Sequence, residues 1–166
     1  MLNLEPLNEN HDRGGFDCGV EALNRYLKQT ARQHEARGIA KTYVLSEGGR
    51  RVVGFFTLTF CQVEGAILPE VFSKKLPQQI PAMRLGRLAV SLGKQRQGMG
   101  HILLSSALRV VGRAEQIAGG VALFVDAKDE DAASYYAQFG FVALIGAPLT
   151  LFLPIQTIRK HNADFD

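Results

Sequence analysis

The stretch MRLGRLAVSLGKQRQGMGH, residues 83–101, decides how the rest of this 166-residue chain is interpreted. Residues 87–90 are a short apolar run that predicts a strand. Residues 94–100 form a basic, glycine-punctuated turn, and residues 101–118 carry apolar side chains at helical spacing. A strand that leads through such a turn into a helix N-terminus can hold a phosphate. The first helical N–H groups have no intrahelical acceptor, and the helix dipole adds positive charge.

Two features of this turn favour an anionic ligand. Gly98 and Gly100 lack a Cβ atom, so a ligand can approach the backbone closely, and Lys94 and Arg96 add positive charge. The spacing matches neither the dinucleotide fingerprint with three glycines nor the P-loop with its terminal Lys-Ser/Thr pair. On this stretch alone, an anion-binding loop and a plain strand–helix connection both stay open.

A second segment further along the chain narrows the choice. Residues 121–127 predict a buried strand. Asp129 is placed to cap the N-terminus of a short helix, and Gly140 is placed to end it before another strand begins. After the first helix the chain therefore continues as strand, helix and strand.

Together the two segments resemble the GNAT superfamily of acetyl-CoA-dependent N-acetyltransferases. In that family the cofactor pyrophosphate is bound by a six-residue pattern. It has glutamine or arginine at the first position, glycine at the fourth and glycine or alanine at the sixth, and residues 95–100 match it. A second family pattern lies further along the chain and consists of an alanine, an aromatic–tyrosine pair and a Gly-Phe pair. This chain matches it with Ala132, with Tyr135 and Tyr136, and with residues 140–141. The resemblance implies an α/β (α+β) fold with a central mixed, mostly antiparallel, splayed β-sheet flanked by helices. It implies one acetyltransferase domain over residues 1–166.

The resemblance also implies a cofactor site. Acetyl-CoA is the expected co-substrate, and no metal is expected. Asp129 departs from the family, in which many members carry an asparagine that contacts pantetheine, so its own contact with the cofactor is in question. The residues expected to bind acetyl-CoA lie in the apolar strand, the turn and the later helix: Leu88, Ala89, Val90, Gln95, Arg96, Gln97, Gly98, Met99, Gly100, Asp129 and Ala133.

Tyr136 matches the family tyrosine that protonates the departing CoA thiolate. A phenol titrates near ~10 and a thiol near ~8.5, so at neutral pH the tyrosine carries a proton that it can donate. The competing interpretation makes Tyr136 a packed aromatic. Tyr135 points about 100° further round the helix and is expected in the core.

The general base is not evident from the sequence. Residues 87–90, where some relatives place a carboxylate, contain none. Glu64 and Asp126 are more distant alternatives. Deprotonation of the amine through water, or binding of the free amine, is the simpler interpretation.

Length and composition are those of one globular domain. No signal peptide and no apolar run long enough to span a bilayer is evident, so we expect a cytoplasmic protein without membrane contact. Cys18 and Cys61 are far apart and the four histidines form no cluster, which indicates free thiols rather than a metal site. The formal net charge of +3 permits an anionic partner without requiring one.

The remaining segments predict a sheet with a hairpin at each end. Strands are expected over residues 40–46 and 51–63, an irregular excursion over 68–81, and a terminal hairpin from strands 141–145 and 149–155. The polar segment from residue 157 onward is expected to fray.

A narrower resemblance covers nearly the full chain. The segments Phe-Asp-Cys-Gly at 16–19, Thr-Tyr-Val-Leu at 42–45 and Leu-Phe-Leu-Pro-Ile at 151–155 are similar to the acetyltransferase toxins of bacterial type II toxin–antitoxin modules. In that subfamily the acceptor is the α-amino group of an aminoacyl-tRNA, and the acetylated tRNA cannot support translation. The resemblance implies a homodimer neutralised by a small ribbon–helix–helix antitoxin.

Basic residues are available for the tRNA. A helix expected over residues 18–35, with Asp17 as its N-cap, places three cations three and four residues apart, as either a solvated face or a contact surface for a polyanion. Two alternative functions stay open: acetylation of a small-molecule or protein amine, and an inactive CoA-binding or regulatory module. The expected tRNA contacts are Arg25, Lys28, Arg32, Arg84 and Arg87.

Overall fold

The computed structural model describes residues 1–164. The strands are β1 Leu2–Pro6, β2 Lys41–Glu47, β3 Arg51–Glu64, β4 Gln79–Val90, β5 Ala122–Asp126, β6 Val142–Leu144 and β7 Ala147–Pro154. The helices are α1 Glu21–Arg25, α2 Ala31–Ala36, α3 Glu70–Ser73, α4 Met99–Ala118, α5 Glu130–Gln138 and α6 Ile155–Ala163. A π-helical turn, Tyr26–Thr30, separates α1 from α2, and Gly65–Ile67 and Leu92–Lys94 are 3₁₀ turns.

The strands form one mixed, mostly antiparallel, open sheet in the order β1-β2-β3-β4-β5-β7-β6. The pairs β1–β2, β2–β3, β5–β7 and β6–β7 are antiparallel. β4 and β5 are parallel, and their register joins Met83–Leu85 to Leu123–Val125 while β4 continues to Val90. The fold class expected from the sequence is confirmed.

The described residues divide into two compact units. Unit 1 contains Met1–Thr59 and Gly86–Ala107, and unit 2 contains Phe60–Leu85 and the chain from Leu108 onward. β3, β4 and α4 contribute residues to both units. A single domain over residues 1–166 stays a prediction.

Unit 1 has an aromatic core. Phe16 meets Phe55 edge-on at 5.5 Å between ring centroids, and Tyr26 stacks parallel to Phe55 at 6.5 Å. Leu27 is fully buried in the same cluster, and Ala89 of β4 also belongs to it. The π-helical turn and β4 are therefore packed on the same apolar core.

The first helical segment starts later than the sequence predicted. α1 begins at Glu21 rather than near Cys18, and its N-cap residue, Val20, makes no side-chain capping bond. Asp17 instead accepts hydrogen bonds from the Gly19 N–H and from Asn24 Nδ2, each at 2.9 Å. These donors, the Gly19 N–H first, hold the pKa of Asp17 below its usual range. Asp17 thus closes a turn ahead of the helix and does not cap it.

The predicted continuous helix is also interrupted by the π-helical turn Tyr26–Thr30. Arg13 supports this turn, because its Nη1 donates to the carbonyl oxygens of Leu27 at 3.4 Å and of Lys28 at 3.1 Å. A π-turn widens the helix and disturbs the usual ladder of hydrogen bonds, so a side-chain donor at these carbonyls stabilises it.

Unit 2 has its own core and a sixth helix that the sequence did not predict. Ile80, Phe124 and Phe152 are at most 1% exposed, and Phe72 of α3 meets Phe152 edge-on at 5.1 Å. The segment expected to fray forms α6, in which Ile158 is fully buried. Burial of this side chain stabilises a helix whose sequence is otherwise polar.

The described residues give two further limits. Within residues 1–164, no helix combines the length and apolar character that crossing a bilayer requires. The same residues contain no group of three or more histidine, cysteine, aspartate or glutamate side chains placed to hold a metal ion.

Candidate active site

The glycine-rich turn of unit 1 has a backbone suited to an anion. Arg96 has φ of 61° and Gly98 φ of 80°, both in the left-handed region. The Gly98 carbonyl accepts the first α4 bond, from the Ile102 N–H at 3.1 Å, so α4 starts at Met99, two residues before the predicted start. Successive left- and right-handed residues at a helix N-terminus point backbone N–H groups toward one ligand. A non-glycine residue in this conformation, here Arg96, is strained.

Gln95 fixes the shape of this turn through its side chain. Its Nε2 donates to the carbonyl oxygens of Cys18 at 2.9 Å and of Val90 at 2.8 Å. The side chain that the family pattern requires therefore ties the turn to the segment before α1 and to the end of β4. In this structure the Gln95 side chain shapes the turn.

The two cations of the turn differ. Lys94 Nζ lies 3.7 Å from Glu47 Oε2 on β2, so part of its charge is compensated. Arg96 is exposed at the tip of the turn. Gln97 is also exposed, and its Nε2 donates to the Gly93 carbonyl at 3.1 Å.

The end of β4 packs tightly against β3. A Cβ atom on Gly54 would lie 2.8 Å from the Ala89 carbonyl oxygen, so only glycine permits this approach. Ala89 is buried, whereas Leu88 and Val90 are half-buried. The Val90 carbonyl accepts the Gln95 side-chain bond.

In unit 2, α5 places two tyrosines side by side. The Tyr136 side chain is buried and meets Phe141 edge-on at 5.5 Å. Burial raises the pKa of Tyr136 to about 12, with a smaller contribution from Tyr135. Tyr135 is only half-buried and burial raises its pKa too. The relative burial of the pair is the reverse of the prediction, which put Tyr135 in the core.

The start of α5 is capped as predicted. Asp129 Oδ1 accepts a hydrogen bond from the Ala132 N–H at 2.8 Å, and the Asp129 backbone is extended. Ala133 lies half-buried in the first turn, with its N–H bonded to the Asp129 carbonyl at 3.0 Å. One oxygen of the Asp129 carboxylate therefore already has a structural partner.

The five basic residues proposed for tRNA contact have different environments. Arg25, Lys28 and Arg32 are exposed along the first helical segment. Arg87 is half-buried, and its guanidinium lies 3.6 Å from the centroid of the Tyr26 ring, an arrangement that fixes its direction. The Tyr26 hydroxyl in turn is 3.2 Å from His34 Nδ1.

Arg84 belongs to unit 2 and is already paired. Its Nη1 donates to Asp126 Oδ2 at 2.7 Å, and its guanidinium lies 5.8 Å from the Phe124 ring centroid. Asp126 Oδ1 also accepts a bond from the Thr150 hydroxyl at 3.0 Å. Both carboxylate oxygens of Asp126 are thus already engaged by donors. The other carboxylate considered from the sequence, Glu64, accepts a bond from Gln79 Nε2 at 3.3 Å.

Sequence reasoning missed three supporting contacts. They are the Gln95 bonds to backbone carbonyls, the Lys94–Glu47 pair and the Arg87–Tyr26 stack. All but the Gln95 bond to Val90 join residues far apart in the chain, and no local pattern marks any of them.

This chain is similar to a known protein family and to two known toxins. A family model for the acetyltransferase (GNAT) domain matches residues 16–150. The probable toxin TacT of Sinorhizobium fredii is 35% identical over 168 residues, covering 95% of this chain and 93% of that protein. A tRNA-acetylating toxin of Mycobacterium tuberculosis is 31% identical over 156 residues, covering 92% of each.

Solved structures agree along nearly the whole chain. AtaT complexed with acetyl-methionyl-tRNAfMet has a TM-score of 0.88 and 36% identity, covering 96% of this chain and 98% of that one. A tyrosine-to-phenylalanine variant of AtaT, bound to acetyl-CoA and the C-terminus of the antitoxin AtaR, has a TM-score of 0.80 and 33% identity, covering 95% of each. A domain match over most of the chain, with two relatives above 30% identity along nearly their full lengths, shows that this chain belongs to the GNAT acetyltransferase family.

Proposed function

We propose that this enzyme transfers the acetyl group of acetyl-CoA to the α-amine of an aminoacyl-tRNA, and that it acts as a toxin by blocking translation. The observation that carries the proposal is the similarity, along nearly the full chain, to AtaT complexed with acetyl-methionyl-tRNAfMet. The strand, turn and tyrosine required for acetyl transfer are all present in this sequence.

Acetyl-CoA is assigned to the glycine-rich turn and the end of β4. The N–H groups of residues 95–100 and the α4 N-terminus would bind its pyrophosphate, while the backbone of residues 88–90 would bind the pantetheine and thioester. Both roles need backbone groups, which is why apolar side chains are compatible with them. Asp129 and Ala133, in and just before the first turn of α5, are assigned to the pantetheine as well.

Tyr136 is assigned as the general acid. The neutral amine nitrogen attacks the thioester carbonyl, the C–S bond of the tetrahedral intermediate breaks, and the Tyr136 hydroxyl gives its proton to the leaving thiolate. The amine loses its proton to water, and Tyr136 regains a proton from solvent. A buried phenol is a weak acid, but a thiolate formed in the same water-poor surroundings is also a stronger base than in water. The proton transfer therefore costs less than the difference between the two pKa values in water implies.

The acceptor is assigned to basic residues. Arg25, Lys28 and Arg32 would contact phosphates, and the orientation of Arg87 over Tyr26 suits a more defined contact. Arg84 is also proposed to contact the tRNA, although its ion pair with Asp126 leaves it the least available of the five cations for a phosphate.

Partners follow from the relatives. We propose an antitoxin partner, because AtaT is found bound to the C-terminus of its antitoxin AtaR. From the resemblance to the toxin subfamily we also propose that the antitoxin is of the ribbon–helix–helix type and that the enzyme is a homodimer. We also propose that residues 1–166 act as one domain and that the protein works in the cytoplasm, where aminoacyl-tRNA is available.

The test is to incubate the purified protein with labelled acetyl-CoA and total aminoacyl-tRNA, and to measure label retained on the RNA. We expect label on wild-type reactions and almost none with Tyr136→Phe, which should still bind acetyl-CoA. No label on RNA, with acetyl-CoA still bound, would overturn the tRNA proposal in favour of a small-molecule or protein amine. Acetyl-CoA binding without turnover on any amine would indicate an inactive module.

A further inference from the structure

A groove of about 350 Å³ lies between α4 and α6 of unit 2. Its residues follow helical spacing, at i, i+3, i+4 and i+7 on α4 and at i, i+3 and i+4 on α6, so each helix presents one face to it. No residue of the proposed acetyl-CoA or aminoacyl site belongs to it. The groove is lined by Arg109, Gly112, Arg113, Gln116, Arg159, Asn162 and Ala163.

The groove is held in shape by close packing of the two helices. A Cβ atom on Gly112 would lie 2.5 Å from Asn162 Nδ2, so glycine allows α6 to approach α4 here. Asn162 Nδ2 donates to the Leu108 carbonyl at 3.0 Å, which fixes the amide orientation. The other amide atom, Asn162 Oδ1, is buried and accepts no hydrogen bond within residues 1–164.

The lining is cationic. Of the residues that the structure describes, three arginines and no carboxylate side chain line it. Arg159 pairs with Glu115, whose side chain is 12% exposed, and this ion pair anchors α6 to α4 beside the groove. Arg109 and Arg113 are four residues apart on α4, on the same face, and both are exposed.

The lining also indicates which anion fits. Among the lining residues within 1–164, the largest apolar side chain is that of Ala163, so this part of the groove offers no pocket for the aromatic or aliphatic anchors that protein interfaces use. Guanidinium groups flanked by amides are the usual partners of phosphate oxygens in nucleic acids. A phosphodiester backbone therefore fits this groove better than an acidic peptide.

We propose that the α4–α6 groove binds the phosphate backbone of the acceptor tRNA, with Arg113 as its central contact. The inference rests on the proposed function, because that function supplies the RNA. Contacts of this kind position the RNA without reading its sequence, so they add affinity for every tRNA equally.

Binding of deacylated total tRNA to the full chain, measured by fluorescence anisotropy at several salt concentrations, tests the groove. Arg113→Glu should weaken binding about tenfold and lower the slope of log affinity against log salt by about one. Arg113→Gln should give a smaller loss. Arg37→Glu, an equal charge change at an exposed residue after α2, should leave affinity nearly unchanged. Circular dichroism and an unchanged KM for acetyl-CoA would establish that the variants fold.

The outcomes separate this inference from the proposed function. The proposed role of the groove would be wrong if Arg113→Glu bound tRNA as tightly as wild type. It would also be wrong if Arg37→Glu lost as much tRNA affinity as Arg113→Glu. Loss of duplex-DNA or antitoxin-peptide binding, with tRNA binding intact, would overturn it as well. If tRNA binding depends on Arg113 but no aminoacyl-tRNA is ever acetylated, the groove stands and the proposed function fails.

Discussion

Burial sets the chemistry of Tyr136. The buried phenol keeps its proton far above neutral pH, with a pKa of about 12. Because the proton is always present, the pH dependence of turnover near neutrality must come from another group. The acceptor amine is the natural one, since no carboxylate on the end of β4 is available to deprotonate it.

The same pKa makes a prediction about stability. An exposed tyrosine titrates near 10.0 in the unfolded chain, and Tyr136 titrates near 12 in the folded chain. Its contribution to the free energy of unfolding is complete below pH 10 and is lost as the pH rises toward 12, by an amount on the order of 2 kcal/mol. Urea unfolding at pH 8 to 11 should show a steeper decline for wild type than for Tyr136→Phe. Parallel declines would mean that Tyr136 titrates normally.

Gln95 gives a second prediction at this scale. Gln95→Glu keeps the shape of the side chain but loses both donors to backbone carbonyls and adds negative charge beside the expected pyrophosphate. We expect KM for acetyl-CoA to rise about tenfold or more, equivalent to about 1.4 kcal/mol. Steady-state kinetics at saturating acceptor measure this.

Gln97→Glu is the matched control, because it makes the same charge change two residues away and Gln97 bonds only within the turn. A similar rise in KM for both variants would attribute the effect to charge alone, and the structural role of Gln95 would be wrong.

At the scale of elements, β3 and the end of β4 are coupled through Gly54. In Gly54→Ala the new methyl group would meet the Ala89 carbonyl oxygen at 2.8 Å and Leu103 Cδ2 at 3.1 Å. The backbone oxygen cannot rotate away, so we expect a loss of about 1–3 kcal/mol in stability and a raised KM for acetyl-CoA. Thermal denaturation and kinetics measure the two effects.

Gly93→Ala serves as the comparison for Gly54→Ala. Nothing lies within 4 Å of the new Cβ atom, and Gly93 needs no positive φ. It should be neutral or stabilising by about 0.4–1 kcal/mol. If Gly54→Ala were equally tolerated, the close contact of β3 with β4 would not be real.

Elements with strong local patterns were predictable. The turn before α4 was marked by its glycines, and α5 by its capping aspartate and terminal glycine. α6 was missed because only Ile155 and Ile158 among its residues are buried, and no side chain caps its start. The π-helical turn was missed because one extra residue per turn leaves no distinct sequence pattern.

Only those parts of the candidate site that have a local sequence pattern were predictable. The backbone roles of residues 95–100 follow from local glycine spacing. The α4–α6 groove was not predicted, because Arg159, which lines it together with Arg109 and Arg113, belongs to the missed helix α6. Tyr136 and Phe141 lie in one segment, but the sequence pattern did not show which tyrosine of the pair is the more deeply buried, and the pKa of Tyr136 depends on that burial.

For the whole molecule, the charge distribution predicts how salt affects the reaction. The net charge is only +3, so extended RNA binding must come from local cationic surfaces such as the exposed Arg25, Lys28 and Arg32. If about five phosphates are contacted, KM for aminoacyl-tRNA should rise about a hundredfold or more between 50 and 200 mM salt. An aminoacyl-nucleoside without phosphates offers the same amine, so its KM should change little. Steady-state rates at fixed, saturating acetyl-CoA compare the two acceptors. Parallel salt dependence would show that the enzyme recognises only the aminoacyl end, and the cationic helix face would then be merely solvated.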